Sequence, residues 1–142
     1  MEKNRLERFV NAQEIDYDIA LSEISAGRKR THWMWYIFPQ IEGLGFSETS
    51  RHYALRDMEE AEDFFRHPVL GPRLVRISGE LLRLDSSDAR AIFGSPDDLK
   101  LKSCMTLFAL LPETDPVFEM VLMKYFGGTH DDLTIRILAR HR

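Results

Sequence analysis

Cysteine is almost absent from this sequence, since Cys104 is the only one among 142 residues. A single thiol cannot form an internal disulfide, and it cannot supply the pair of thiolates on which many structural zinc sites are built. The histidines lack the short spacing of a helical metal-binding pair, so we expect no metal site. Cys104 lies within an apolar helical segment, which predicts a buried and unreactive thiol. This cysteine usage suits a reducing cytoplasm.

Long hydrophobic runs and an excess of one charge are also missing. The longest wholly apolar run, residues 33–38, is far too short to cross a bilayer, and the charged residues 1–5 lack the apolar stretch of a secretion signal. Charged residues make up 30% of the chain, but the formal net charge is only −4. Because no basic field covers the molecule, we expect neither nucleic acid nor a membrane surface as a partner. Any anion-binding site must be local.

Apolar residues recur at spacings of three and four along most of the chain, and helix-capping residues separate the apolar stretches. This pattern predicts an all-α protein. A length of 142 residues and a hydrophobic fraction of 44% suffice for one ordinary core. We therefore expect residues 1–142 to form a single compact domain of several orthogonally packed helices.

The first part of the chain is predicted to form two helices. A short opening helix is followed by a second one that ends at Gly27, a residue type favoured just beyond a helix end. The second helix is predicted from one apolar stripe, which consists of Ile15, Ile19, Ala20 and Ile24.

Three later helix starts are predicted from capping residues. Asp57 caps a helix whose acidic residues, at positions 59, 60, 62 and 63, are expected to face solvent. Ser95 caps another, with Pro96 at the first helical position and an acidic residue at the third. Thr129 and Asp132 cap the last helix.

The aromatic run 33–38 is the least determined element, because a short apolar stretch fits a buried strand as well as a buried helical turn. A helical turn is favoured only because the neighbouring segments are helical. Aromatic side chains are more often core than ligand platform, so we expect most of this run, Trp35 included, to be buried. A tryptophan at the edge of a pocket is also compatible with the sequence.

Arg28, Lys29 and Arg30 immediately precede the aromatic run. Two guanidinium groups and an ammonium beside aromatic rings can hold a phosphate or carboxylate and stack a base, which suits a nucleotide-like ligand. The alternative is that these side chains only solvate a helix end and stabilise its negative dipole end. Trp33 and Gln40 complete the candidate ligand site, although the Gln40 amide can equally fix a turn.

His32 is the candidate general acid or base, because imidazole titrates near neutrality. The alternative is a hydrogen-bonded residue at a helix start. Gly43 and Gly45 are further candidates, since permissive backbone positions let amide groups approach an anion. They match no nucleotide-binding fingerprint, and a tight turn is the favoured interpretation.

The segment GRKRTHWMWYIFPQ, residues 27–40, resembles a widespread microbial family of uncharacterised all-helical proteins whose members are sometimes labelled calpastatin. The likeness continues through residues 43–47, 67–71, 101–108 and 128–134, and so extends over nearly the whole length. It implies a compact helical domain, but no activity, cofactor or catalytic residue. The calpastatin label conflicts with the composition, because an inhibitor of that kind is expected to be polar and disordered.

Two functions follow from segment 27–45. The leading hypothesis is a cytoplasmic domain that binds an anionic, phosphate-bearing small molecule there. The competing hypothesis is a protein–protein interaction module that uses the same patch, since Trp, Tyr and Arg dominate interface hot spots. A closed concavity favours the small ligand, whereas a flat exposed patch favours a protein partner. The sequence defines no cofactor, and it leaves catalysis and oligomeric state open.

Overall fold

Nine α-helices and no β-strand are found within residues 5–141, the part of the chain that the computed structural model describes. The predicted all-α class is confirmed. An isolated parallel bridge joins Ile41 to Leu55. In chain order the helices are α1 (Glu7–Ser25), α2 (Met34–Ile37), α3 (Glu48–Tyr53), α4 (Met58–Arg66), α5 (Leu70–Arg83), α6 (Ala89–Phe93), α7 (Asp97–Ala109), α8 (Val117–Phe126) and α9 (Asp132–Arg140).

Helix α1 is continuous, so the prediction of two separate helices in this region is wrong. The predicted apolar stripe is wrong for Ile15, which is 77% exposed, and for Ile19, which is also exposed, whereas Ala20 and Ile24 are buried as predicted. A polar residue takes part in the buried face instead, because the Gln13 amide donates to the main-chain oxygen of Tyr36 over 2.7 Å. The buried face of α1 consists of Phe9, Gln13, Tyr17, Ala20 and Ile24.

The C-terminal end of α1 has the predicted geometry. Gly27 adopts a positive φ of 82°, where a side chain is disfavoured. Its N–H donates to the Ile24 oxygen over 2.8 Å, and the N–H of Arg28 donates to the Glu23 oxygen over 3.0 Å. These two bonds define a Schellman ending, which turns the basic segment away from the helix axis.

The start of α4 confirms Asp57 as an N-cap, since its carboxylate accepts from the Glu60 N–H over 2.9 Å. The expectation that the whole acidic run faces solvent is wrong for Glu60, which is 3% exposed. Its carboxylate forms ion pairs with Arg5 at 3.1 Å and Arg8 at 3.4 Å. Arg8 in the first turn of α1 and Arg5, two residues before that helix, therefore permit this burial.

Two other helix starts differ from their predictions. Helix α7 begins at Asp97 without a side-chain cap, so Ser95 does not cap it. Helix α9 is capped by Asp131, which accepts from the Thr134 N–H over 3.0 Å. The Asp131 carboxylate also accepts from Ser103 on α7 over 3.2 Å, so the predicted caps Thr129 and Asp132 are replaced by a residue that also ties α9 to α7.

The core is built around α5, α7 and α8, with α1 and α4 packed against α5. Phe108 stands at its centre, with its ring centroid 5.6 Å from those of Phe64 and Phe118. Cys104 is completely buried, and this burial raises the pKa of its thiol well above the ordinary value, as suits an unreactive core residue.

The aromatic run forms the short helix α2, which decides between the two alternatives for residues 33–38 in favour of a helical turn. The preceding segment is fixed to α6, because the N–H of Lys29 donates to the Ile92 oxygen over 2.7 Å. No helix within residues 5–141 combines the length and apolarity needed to cross a membrane. Residues 1–4, which belong to the charged segment that predicted no secretion signal, lie outside the described residues.

Candidate functional site

A cleft of about 340 Å³ opens between α2, the start of α3 and the first turn of α7. Its walls combine two ammonium groups, one carboxylate, an imidazole, hydroxyl groups and aromatic rings. The lining residues are Lys29, His32, Trp33, Met34, Trp35, Tyr36, Ser47, Thr49, Asp97 and Lys100.

Lys29 and Lys100 share Asp97 in the wall of this cleft. The Lys29 Nζ lies 3.0 Å from one Asp97 carboxylate oxygen, and the Lys100 Nζ lies 3.0 Å from the other. Burial tends to raise the pKa of Asp97, but the hydrogen bonds and charges of Lys100 and Lys29 outweigh it and lower that pKa. The three side chains carry a formal charge of +1.

Lys29 is held from several sides, and its side chain is only 7% exposed. Its Nζ also donates to the Thr31 oxygen over 2.6 Å and lies 5.0 Å from the centroid of the Trp33 ring. The Lys100 Nζ lies 4.1 Å from the centroid of Trp35, which is a cation–π contact. Both ammonium groups are thus fixed beside aromatic walls.

Glu23 of α1 organises the segment that leads into the cleft. Its carboxylate accepts from the Arg30 N–H at 2.8 Å, from the Thr31 N–H at 3.1 Å and hydroxyl at 2.8 Å, and from the Trp33 indole at 2.9 Å. Burial tends to raise the pKa of Glu23, but these four donors outweigh it and lower that pKa to about 2. Glu23 therefore stays ionised and orients Trp33.

The Tyr36 hydroxyl donates a hydrogen bond to Asp16, so its proton already has an acceptor. Burial and the neighbouring Asp16 carboxylate raise the pKa of Tyr36. Tyr36 is therefore a neutral phenol in the cleft wall, whose oxygen can still accept a hydrogen bond from a bound molecule.

A second cavity, of about 10 Å³, adjoins the loop after α2. Gly45 permits its tight wall, since a Cβ there would lie 2.7 Å from both Cβ and Oγ of Ser50 and 3.3 Å from a ring carbon of Trp35. The lining residues are Trp35, Gln40, Ile41, Glu42, Gly43, Leu44, Gly45, Ser50, Arg51, Tyr53 and Ala54. Trp35 borders both cavities.

Comparison with known proteins identifies the family. Residues 3–138 match the family model described as "Protein of unknown function (DUF1810)". The chain belongs to this family. A solved structure, described as that of the conserved hypothetical protein Rv1873 from Mycobacterium tuberculosis, is 45% identical, with a TM-score of 0.92. The match covers 94% of this chain and 96% of that one.

These comparisons support the resemblance to an uncharacterised helical family seen in the sequence, and neither description mentions calpastatin. A comparison with curated proteins gives no match. The site therefore has to be interpreted from its own geometry.

The structure divides the candidate site residues into three groups. Lys29, His32 and Trp33 line the cleft, whereas Gln40, Gly43 and Gly45 line the small cavity. Arg28 and Arg30 are exposed and line neither of these two cavities. The exposed His32 ring has no hydrogen-bond partner within residues 5–141, and its catalytic role stays a prediction.

The sequence did not identify several residues of the cleft as site residues. These are Ser47, Thr49, Asp97 and Lys100, together with the hydroxyl group of Tyr36. Asp97 and Lys100 have the i, i+3 spacing of an ordinary surface ion pair at a helix start, so nothing in the sequence marks them as site residues. Glu23 was also missed, because its donors lie in a loop whose path is set by the fold.

Proposed function

We propose that this protein binds a small anionic, phosphate-bearing molecule in the cleft, with Lys29 and Lys100 as the cationic contacts. The observation that carries the proposal is the convergence of these two ammonium groups on Asp97 beside Trp33 and Trp35. One carboxylate balances only one of the two charges. The excess positive charge favours an anion at this place.

The hydrogen-bonding capacity of Lys100 supports the same conclusion. An ammonium group has three N–H donors, and the contacts of Lys100 within residues 5–141 are one bond to Asp97 and the face of Trp35. Donors thus remain for phosphate oxygens. The aromatic and hydroxyl groups of the walls suit the rest of a nucleotide-like or sugar phosphate molecule.

The competing function, a protein–protein interaction module at the same patch, has less support. Trp33 is only 1% exposed, and the Lys29 side chain is only 7% exposed inside a concave surface. Both are therefore poor anchors for a flat protein interface. A concave wall of this kind favours a small molecule.

Thermal denaturation in the presence of inorganic phosphate, pyrophosphate, ribose 5-phosphate and nucleoside monophosphates tests the proposal. We expect at least one of them to raise the melting temperature, with an effect that decreases as salt rises. Lys100→Gln should weaken that binding by about 1.5–3 kcal/mol, since a charge-assisted hydrogen bond is lost.

Lys102→Gln is the matched control. Lys102 lies on the same helix, but its Nζ is near Phe126, 5.8 Å from the ring centroid, and it does not line the cleft. Its substitution should leave binding unchanged. Equal weakening by both variants, or no stabilisation by any of the anions, contradicts the proposal and makes the interaction module the function to test.

A further inference from the structure

The side-chain amide of Gln40 has a buried nitrogen without a hydrogen-bond partner in the described part of the chain. The residue is only 5% exposed, and its Nε2 has no hydrogen-bond partner within residues 5–141. The main-chain oxygen of Gln40 is paired, since it accepts from the Leu55 N–H over 2.9 Å. The backbone at Gln40 is therefore held by this bond, while the two N–H donors of its buried amide remain unused.

The small cavity lined by Gln40 offers further donors. Gly43, Leu44 and Gly45 also line it, and their main-chain N–H groups donate to no residue in the described part of the chain. Its volume of about 10 Å³ accommodates one group of the size of a water molecule. A buried, unpartnered amide donor thus belongs to a residue that lines a space fitting a single acceptor atom.

The charges around this cavity indicate an uncharged occupant. Glu42 and Arg51 both line it and carry opposite charges, so the cavity has no formal net charge. This distinguishes it from the cleft, where lysines are in excess. An uncharged oxygen with free lone pairs fits the donors and the size.

We propose that Gln40 and the loop Gly43–Leu44–Gly45 form a second binding site, which takes one uncharged acceptor oxygen. A water molecule or the carbonyl oxygen of a small neutral ligand supplies the same chemistry. The occupant accepts from the Gln40 Nε2 and ties the loop to the end of α2. This site does not depend on the proposed anion-binding function.

Gln13 provides the reference for the test, because it is a buried glutamine with known partners. It is 2% exposed, its Nε2 donates to the Tyr36 oxygen, and its Oε1 accepts from Arg73 over 3.4 Å. Methionine has nearly the same shape as glutamine but lacks the amide. Gln13→Met must therefore lower the melting temperature, because it leaves Tyr36 without its donor.

The experiment compares Gln40→Met with Gln13→Met by thermal denaturation, first in buffer and then with increasing formamide as a carbonyl probe. If water occupies the site, Gln40→Met lowers the melting temperature in buffer by roughly 2–6 °C, as Gln13→Met does. If a ligand carbonyl is needed, Gln40→Met raises the melting temperature in buffer, because the unpaired amide is removed. Formamide then stabilises the wild type relative to the variant.

A lower melting temperature of Gln40→Met in buffer supports the site with water as the acceptor. A difference between variant and wild type that changes with formamide supports the site with a carbonyl oxygen as the acceptor. The proposal is overturned if Gln40→Met melts at the same or a higher temperature than the wild type and formamide does not change that difference. The Gln40 amide then has no partner. A crystal structure adds a direct check, since density within hydrogen-bond distance of the Gln40 Nε2 is required.

Discussion

The two ends of segment 27–45 are held in different ways. Residues 28–33 are fixed by charge, since Glu23 accepts four hydrogen bonds from them and Lys29 pairs with Asp97. Residues 40–45 are held by main-chain hydrogen bonds to Leu55 and by close packing of Gly45 against Ser50, and the Gln40 Nε2 there has no partner within residues 5–141. A segment that is continuous in sequence therefore contributes to two separate cavities.

This difference shows that neighbouring residues of one type can have different roles. Lys29 points into the cleft, whereas Arg28 and Arg30 beside it are exposed. Trp33 is buried, whereas Trp35, two residues later, remains partly exposed between the two cavities. The contacts made by each side chain, and not its residue type, determine what each position contributes.

The largest effect is expected for Trp33→Ala. The Trp33 ring is buried against Phe38 and Phe93, with centroids 6.1 and 6.4 Å away, and its indole donates to Glu23. Its removal should lower the free energy of unfolding by about 3–5 kcal/mol. Denaturant unfolding followed by circular dichroism measures this loss.

Trp35→Ala is the comparison that tests this assignment. The sequence predicted Trp35 as a core residue, but its ring is partly exposed, so that expectation needs correction. Its substitution should therefore cost clearly less than that of Trp33. An equal or larger loss for Trp35→Ala would show that Trp35 contributes to the core as much as Trp33 does.

A smaller loss is expected for Glu23→Gln. Glutamine has the same shape, but it replaces one acceptor oxygen by a donor that faces the N–H and O–H groups of residues 30–33. We expect a decrease of about 1.5–3 kcal/mol in the free energy of unfolding, the range for hydrogen bonds to charged groups. Glu14→Gln is the control, because Glu14 is exposed on the same helix and should tolerate the change.

The contribution of Glu23 to stability is predicted to depend on pH, and Glu23→Gln should lack this dependence. Because the pKa of Glu23 falls from 4.5 to about 2 on folding, its contribution to stability is complete above pH 4.5 and is lost as the pH falls toward 2. Asp97, whose pKa is also lowered, acts in the same direction. Melting temperatures measured over this pH window should fall less steeply for Glu23→Gln than for the wild type. Parallel curves would contradict the role given to Glu23.

The smallest effect on stability is expected for the double variant Arg28→Gln and Arg30→Gln. Both side chains are exposed, so the free energy of unfolding should change by less than about 0.5 kcal/mol. Binding of an anion identified in the phosphate screen should weaken less than in Lys100→Gln. The reverse order of the two affinities would move the anion site from the cleft to the exposed arginines, where the sequence first suggested it.

The sequence by itself determined the features that depend on residues a few positions apart. These include the all-α class, the role of Gly27 just beyond the end of α1 and the N-cap at Asp57, because helix periodicity and capping act within one or two turns. Even this local pattern was misleading in α1, where the tertiary contact of Gln13 with Tyr36 placed a polar residue on the buried face.

Only the tertiary structure decided which side chains meet in the cleft. Asp97 and Lys100 of α7 lie far along the chain from Lys29, and their convergence depends on α6, which packs against α7 and accepts a hydrogen bond from the Lys29 N–H. The burial of Glu60 and the division of segment 27–45 between two cavities have the same origin. Contacts of this kind depend on the relative positions of whole helices, which local spacing and capping do not specify.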